Sequence, residues 1–198
     1  MHKCVMFDVD ATLVLTDRAG VYAMNIAGRQ VFGDHFNFEG VSFAGSLDTQ
    51  IILDAAERFR IELVDGQLER FRDAYLAELK RELNERADHV HALAGVHELL
   101  GQLRPMSPIT VGLLTGNFEN GARLKLGAAG IDFEQFELGA FAEHGKTRPE
   151  VAAQALDQWK ATDAPGAADP SNIIVVGDTP KDVDCAKANG YACLAVAT

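Results

Sequence analysis

The chain has 198 residues, 47% of them hydrophobic, and a formal net charge of -11. This length and composition predict one domain with a sizeable core, or one domain that carries a smaller insert. The acidic balance and the lack of a Lys/Arg-rich run argue against nucleic acid as a partner. A small anion would therefore need a local site or a metal ion to bind to this protein.

The cysteine content indicates a reducing compartment. Cys4, Cys185 and Cys193 lie far apart and lack the C-x-x-C spacing of a metal or redox motif, so we expect free thiols. No apolar stretch reaches the roughly 18 residues that a membrane span needs, and the first residues lack a signal-peptide pattern. We expect a cytoplasmic protein with no membrane partner, with a monomer and a homodimer both left open.

The first predicted element is a strand over residues 3–7 (KCVMF), and a long helical segment follows it. Residues 16–91 contain no convincing strand, and their apolar residues recur at the three- and four-residue spacing of amphipathic helices. The predicted helices lie near 20–32, 47–60 and 64–86. We interpret residues 16–91 as an all-helical domain inserted into a core that is formed by residues 1–15 and 92–198.

Beyond the insert, predicted helices and strands alternate. Short apolar runs that are rich in β-branched residues predict strands buried on both faces of a parallel sheet. These strands lie at 109–114, 172–176 and 192–196, with a weaker candidate at 136–140. The predicted helices lie at 95–104, 118–129, 149–160 and 180–189. This alternation predicts an α/β fold with a doubly wound, Rossmann-like parallel sheet and right-handed crossovers.

Polar residues follow three of the predicted strands at the point where each strand ends. The three groups are Asp8 with Asp10, then Thr115 with Gly116 and Asn117, then Asp178 with Asp182 four residues further on. In an open α/β sheet, ligands bind outside the carboxyl ends of the strands, where the strand order reverses. We therefore expect these groups to meet at one edge of the sheet.

The chemistry of these groups suits a metal ion and a phosphate. Carboxylates that converge repel one another unless a cation neutralises them. An all-oxygen set without His or Cys suits Mg²⁺ better than zinc. A threonine hydroxyl and backbone N–H groups at a helix start provide an anion site. The residues themselves thus predict a Mg²⁺-dependent phosphate site.

Four segments, in chain order, resemble the motifs of the haloacid dehalogenase-like hydrolase superfamily. They are DVDATLV (8–14), LLTGN (113–117), GKTRPEVAAQAL (145–156) and VVGDTPKDV (175–183). Two further segments, AGSLDTQII (44–52) and LAGVHELL (93–100), are similar to the phosphoglycolate-phosphatase-like branch. In that branch a helical cap follows the first motif, which implies that residues 16–91 form the cap.

The resemblance implies a phosphatase that hydrolyses a small phosphomonoester through an aspartyl-phosphate. Asp8 would be the nucleophile. Asp10 would protonate the leaving alkoxide and then activate water. Lys146 would neutralise charge on the phosphoryl group and on Asp8, although Arg148, two residues on, is a second candidate for this position.

The resemblance also implies which residues bind the cofactor Mg²⁺ and the phosphate. The implied metal ligands are Asp8, the backbone carbonyl of Asp10, and Asp178, with Asp182 acting directly, through water, or by orienting Lys146. The implied phosphate-binding residues are Thr115, Gly116, Asn117 and Lys146.

Other functions remain open at this point. Asp10 favours transfer to water over carbon–halogen cleavage, since dehalogenases of the superfamily lack a carboxylate there. A phosphomutase shares the Asp8–Asp10 pair. A receiver-like signalling module also combines aspartate, threonine and lysine on a doubly wound sheet.

Ala11 stands where the superfamily usually has glycine. If the position requires positive φ, alanine costs about 1–2 kcal/mol. We expect the milder case, in which the backbone at Ala11 avoids that region and the methyl group only narrows the space beside Asp10.

Overall fold

The computed structural model describes residues 2–197, so that Met1 and Thr198, the outer limits of the predicted core, lie outside the described residues. The strands are β1 (Lys3–Phe7), β2 (Val14–Leu15), β3 (His91–Ala92), β4 (Ile109–Leu114), β5 (Leu138–Ala140), β6 (Ile173–Gly177) and β7 (Ala192–Ala195). The helices are α1 (Ala19–Phe32), α2 (Asp48–Arg58), α3 (Gln67–Glu85), α4 (Val96–Leu103), α5 (Glu119–Ala128), α6 (Arg148–Lys160) and α7 (Pro180–Asn189). Each predicted strand and helix is present, with bounds shifted by no more than a few residues.

Five strands form a parallel sheet in the order β5-β4-β1-β6-β7. β1 is central and pairs with β4 on one side and β6 on the other. The chain first crosses from β1 to β4 and later returns to the opposite side of β1. This reversal creates a crevice at the carboxyl end of β1, and the predicted doubly wound α/β fold is confirmed.

Apolar side chains alternate between the two faces of β1. Cys4 and Met6 belong to a core on one face, where Trp159 of α6 is fully buried. Phe7 belongs to a core on the other face, together with Leu126 of α5. Because helices cover both faces of the sheet, apolar side chains are buried on both sides of β1, as its apolar sequence predicts.

The segment between β1 and β4 is helical apart from the short strands β2 and β3. α1 packs against α3 around an aromatic cluster in which Phe71 and Tyr75 are fully buried. The ring of Tyr75 also contacts that of Phe118 at the start of α5, at 6.2 Å between centroids. The apolar core of this segment is therefore continuous with one core of the sheet.

The helical segment leaves and rejoins the rest of the chain through a small antiparallel strand pair. Val14 pairs with Ala92 and Leu15 with His91. Strands of two residues carry no readable sequence period, so the sequence did not predict them. The division into a core and an inserted domain stays a prediction. Within residues 2–197, no helix combines the length and the apolar composition needed to cross a bilayer.

Candidate active site

Three carboxylates from two strand ends converge as predicted. Asp8 follows β1, Asp178 follows β6, and Asp182 lies in the first turn of α7. One oxygen from each of these side chains lies within 4.8 Å of the other two. The fold brings them together because β1 and β6 are hydrogen-bonded neighbours, and the backbone N–H of Asp8 donates to the carbonyl of Val176 at 2.9 Å.

Arg148, the first residue of α6, is the cation that enters this cluster. Its side chain is only 6% exposed, and Nη2 lies 3.3 Å from Oδ1 of Asp8. Nη2 also donates to the carbonyl of Leu114 at 3.2 Å and to Oδ1 of Asp182. One guanidinium thus links the ends of β1 and β4 with α7.

Lys146 lies outside the cluster. It is exposed and lines a separate surface depression together with Arg72 and His144. The reason is the position of the helix start: Thr147 is the N-cap of α6, so Lys146 precedes the helix while Arg148 occupies its first position. Of the two cations that the sequence offered, the structure brings Arg148 and not Lys146 to Asp8.

Asp182 is fully buried and both of its oxygens are occupied. Oδ1 accepts from Arg148, and Oδ2 accepts from the backbone N–H and the hydroxyl of Thr179 at 3.0 and 2.7 Å. This side chain therefore holds the guanidinium in place. Of the three roles predicted for Asp182, the contacts match the orienting one, with Arg148 in the place of Lys146.

The remaining donor set fits a divalent cation. With all groups ionised, the three carboxylates and the single guanidinium of Arg148 carry two uncompensated negative charges. Burial raises the pKa of Asp8 to about 6, and the charges of Asp182 and Asp10 add to the rise, while Arg148 opposes it. Asp178 is half-buried, faces the cavity and accepts from the hydroxyl of Thr12 at 3.3 Å. Hard oxygen ligands with an excess of negative charge are compatible with Mg²⁺.

Asp10 is held by two donors from the β4–α5 region. Its Oδ2 accepts from Nζ of Lys125 at 2.6 Å and from Nδ2 of Asn117 at 2.8 Å. Lys125 also donates to Oδ1 of Asn117 at 2.6 Å, which closes a ring of three side chains. The sequence analysis did not identify Lys125. The available signal was helical spacing: Lys125 lies four residues after Gly121 and therefore shares the buried face of α5 with it.

The predicted phosphate-binding residues lie beside this ring. Thr115 is fully buried, and its Oγ1 accepts from Nδ2 of Asn117 at 2.7 Å. Gly116 and Asn117 line the cavity. The carbonyl oxygen of Ser46, from the helical segment, occupies the space that a Cβ at position 116 would need. Glycine here allows the two parts of the chain to approach closely.

These residues form the floor of a cavity of about 620 Å³. The helical segment contributes apolar walls through Val21, Met24, Phe43 and Ile51. A ligand in this cavity would contact apolar side chains as well as carboxylates.

Asp48, the first residue of α2, ties the helical segment to the floor. Its backbone N–H donates to the carbonyl of Gly116 at 2.7 Å, and its Oδ2 accepts from the backbone N–H of Phe118 at 2.9 Å. Burial raises the pKa of Asp48 to about 7, although the charge of Lys125 and the Phe118 hydrogen bond oppose the rise. A second link joins Nζ of Lys181 to Oγ of Ser46 at 2.5 Å.

The backbone at Ala11 adopts positive φ, so the expectation of the milder case is wrong. Its φ is 55°, and its N–H donates to the carbonyl of Val14 at 2.9 Å. The turn that follows β1 requires this conformation, which glycine adopts without penalty. Ala11 therefore introduces backbone strain directly beside Asp10.

The protein combines a Rossmann-like sheet, an acidic site where the strand order reverses, and a helical segment beside that site. These features together point to the class of protein that the comparison with known families identifies. The family model described as haloacid dehalogenase-like hydrolase matches residues 2–190. The chain belongs to this family, which confirms the resemblance seen in its motifs.

Solved structures show the same fold at low sequence identity. CbbY from Rhodobacter sphaeroides in complex with phosphate is 17% identical, covers 100% of this chain and 87% of its own, and has a TM-score of 0.76. The same protein, as a mutant in complex with xylulose-(1,5)bisphosphate, has 17% identity, the same coverage and a TM-score of 0.73. A predicted phosphoglycolate phosphatase from Haemophilus somnus is 17% identical, with 98% and 84% coverage and a TM-score of 0.65. No curated protein sequence matches this chain significantly.

We predict that Ala11→Gly stabilises the protein by about 0.5–1 kcal/mol, because relief of the left-handed strain exceeds the entropy that glycine loses on folding. Chemical denaturation measures the change in the free energy of unfolding. The control is Ala77→Gly at an exposed position of α3, which should destabilise by about 1 kcal/mol. Equal destabilisation by both substitutions would contradict the strain at Ala11.

We predict that Asp48→Asn flattens the pH dependence of stability. The folded pKa of Asp48, about 7, exceeds its ordinary value of 3.8, so its contribution to stability is complete below pH 3.8 and is lost as the pH rises through 7. Between pH 4 and 8, the difference in free energy of unfolding between Asp48→Asn and the wild type should shift by about 2–4 kcal/mol in favour of the variant. Denaturation at several pH values measures this, with the exposed Asp73→Asn as control; parallel profiles for wild type and Asp48→Asn would refute it.

Proposed function

We propose that the protein is a Mg²⁺-dependent phosphatase that hydrolyses a small-molecule phosphomonoester through an aspartyl-phosphate on Asp8. The observation that carries this proposal is the arrangement at the end of β1. Asp8 contacts the guanidinium of Arg148, and Asp10, two residues on, is held by Lys125 at the same cavity. One carboxylate is thus placed to attack and the other to transfer a proton.

In the first step, an oxygen of Asp8 attacks the phosphorus of the substrate. A bond forms between that oxygen and phosphorus, and the bond from phosphorus to the ester oxygen breaks. Asp10 gives its proton to the departing alkoxide. Arg148 supports this step because a bidentate cation stabilises charge on phosphoryl oxygens and on Asp8.

In the second step, water attacks the phosphorus of the aspartyl-phosphate. Asp10 takes a proton from that water, the acyl-phosphate bond breaks, and Asp8 returns to its carboxylate form. The backbone N–H of Gly116, close to the start of α5, favours an anion at this position. The helical segment that lines the cavity would limit the access of bulk water once a substrate is bound.

Asp8, Asp178 and the backbone carbonyl of Asp10 would hold the Mg²⁺. When bound, this ion would balance the excess negative charge of the carboxylates and of the phosphate. Asp182 would keep Arg148 oriented.

The cavity supports a small organic leaving group. Its volume of about 620 Å³ suits a metabolite-sized molecule. The apolar walls formed by Val21, Met24, Phe43 and Ile51 favour a leaving group with an apolar face.

A panel of several dozen phosphate esters, assayed with and without Mg²⁺, tests the proposal. We expect phosphate release from some esters, loss of that activity after chelation, and loss of turnover in Asp8→Asn with the fold intact. The exposed Asp184→Asn is the matched control and should retain wild-type rates. Turnover by Asp8→Asn, or no release by the wild type from any ester, would disprove the mechanism.

A second pair of variants tests which cation of residues 145–156 acts on the phosphate, Lys146 or Arg148. Arg148→Lys keeps the charge but loses the rigid guanidinium whose Nη2 reaches Asp8, Asp182 and Leu114 together, so kcat/KM should fall at least about 10-fold. Lys146→Met should change kcat/KM by less than about 2-fold, since surface charges distant from the chemistry contribute little. The reverse ranking would assign the phosphate-facing role to Lys146.

A further inference from the structure

Lys125 is a buried cation outside the four sequence motifs. It is 5% exposed and lies at the middle of α5, whose other buried positions are Gly121, Ala122 and Leu126. Burying an ammonium group is costly unless it is paired and hydrogen-bonded. The partners that compensate it here are Asp10 and Asn117, both at the candidate site.

The contacts of Lys125 determine which oxygen of Asp10 remains available. Both donors, Lys125 and Asn117, contact the same oxygen, Oδ2, at 2.6 and 2.8 Å. The side chain of Asp10 nevertheless remains 45% exposed and lines the cavity. Oδ1 is therefore the oxygen that is left to meet a ligand.

The helical segment packs directly over this ring. A Cβ at Gly20 of α1 would lie 3.4 Å from Nζ of Lys125 and 3.6 Å from the hydroxyl of Tyr75 on α3. These are ordinary van der Waals distances, so α1 packs closely against Lys125. Lys125 borders the cavity, and at the site its ammonium group contacts Asp10 and Asn117.

We propose that Lys125 is a positioning residue that holds Oδ1 of Asp10 toward the leaving group, which directs the enzyme to phosphate esters of unactivated alcohols. This inference rests on the proposed phosphatase function. As Asp8 bonds to phosphorus and the ester P–O bond breaks, the O–H bond on Oδ1 of Asp10 breaks and a new O–H bond forms on the departing oxygen. A rotated Asp10 would leave that oxygen without its proton.

The consequence depends on the basicity of the leaving group. A poorly basic leaving group, such as p-nitrophenolate, departs without a proton, whereas phenolate and alkoxides depend much more on one. Proton transfer by a positioned side chain typically contributes about 10²–10⁴-fold to the rate. In the step that forms the aspartyl-phosphate, misalignment of Asp10 should therefore slow only the esters of the more basic leaving groups. Any loss of water activation in the second step would affect all esters equally.

The experiment compares the full-length wild type with Lys125→Met, an unbranched replacement without charge, in the presence of Mg²⁺. The probes are p-nitrophenyl phosphate and phenyl phosphate, which are close in shape and differ in leaving-group basicity. We expect kcat/KM for phenyl phosphate to fall about 10²-fold and kcat/KM for p-nitrophenyl phosphate to fall less than about 3-fold. This quantity covers only the steps up to departure of the leaving group, so it does not include the later hydrolysis of the aspartyl-phosphate. Lys187→Met, at an exposed position of α7, is the control and should leave both rates unchanged.

Equal losses for the two probes, or no loss for either, would overturn the role of Lys125 while leaving the proposed phosphatase intact. A wild type that releases phosphate from neither probe nor any ester of the panel would overturn the proposed function, and the role of Lys125 with it. Circular dichroism checks the fold of Lys125→Met. If that variant does not fold, Lys125→Gln, which is shorter and keeps an amide donor, is judged by the same difference between the two probes.

Discussion

Asp8 ends the central strand of the sheet, where its carboxylate is almost fully withdrawn from water and lies close to two further acids. Such a group is tolerated only if opposite charge accompanies it. Arg148 supplies part of that charge by contacting Asp8 and Asp182 together. Under the proposed function, a divalent cation would balance the remaining negative charge and help to bind an anionic substrate. This cluster of opposite charges depends on the order of the strands, on the start of α6 and on the first turn of α7.

Most of the fold could be predicted because its signals are local. Apolar runs such as 109–114 are too short and too β-branched to be helices, and the polar groups after β1, β4 and β6 follow from the topology once the strands are known. The convergence of Asp8 with Asp178 was therefore predictable. The chain's membership of the hydrolase family was equally visible, because four motifs occur in the expected order.

Three features of the candidate site escaped prediction, each for a physical reason. Whether Lys146 or Arg148 points inward depends on where α6 begins, and helix starts cannot be read from sequence to within two residues. The role of Lys125 could not be read from the sequence, because its partner Asp10 is 115 residues away in the chain. The positive φ of Ala11 is imposed by the turn after β1, against the preference of the residue itself.

The aromatic packing between Tyr75 and Phe118 makes the apolar interior of the helical segment continuous with that beneath the sheet. Contacts of this kind couple the unfolding of two parts of a chain into one cooperative transition. We therefore expect the helical segment and the sheet to unfold together, and loss of the segment would expose the ring of Phe118 to solvent.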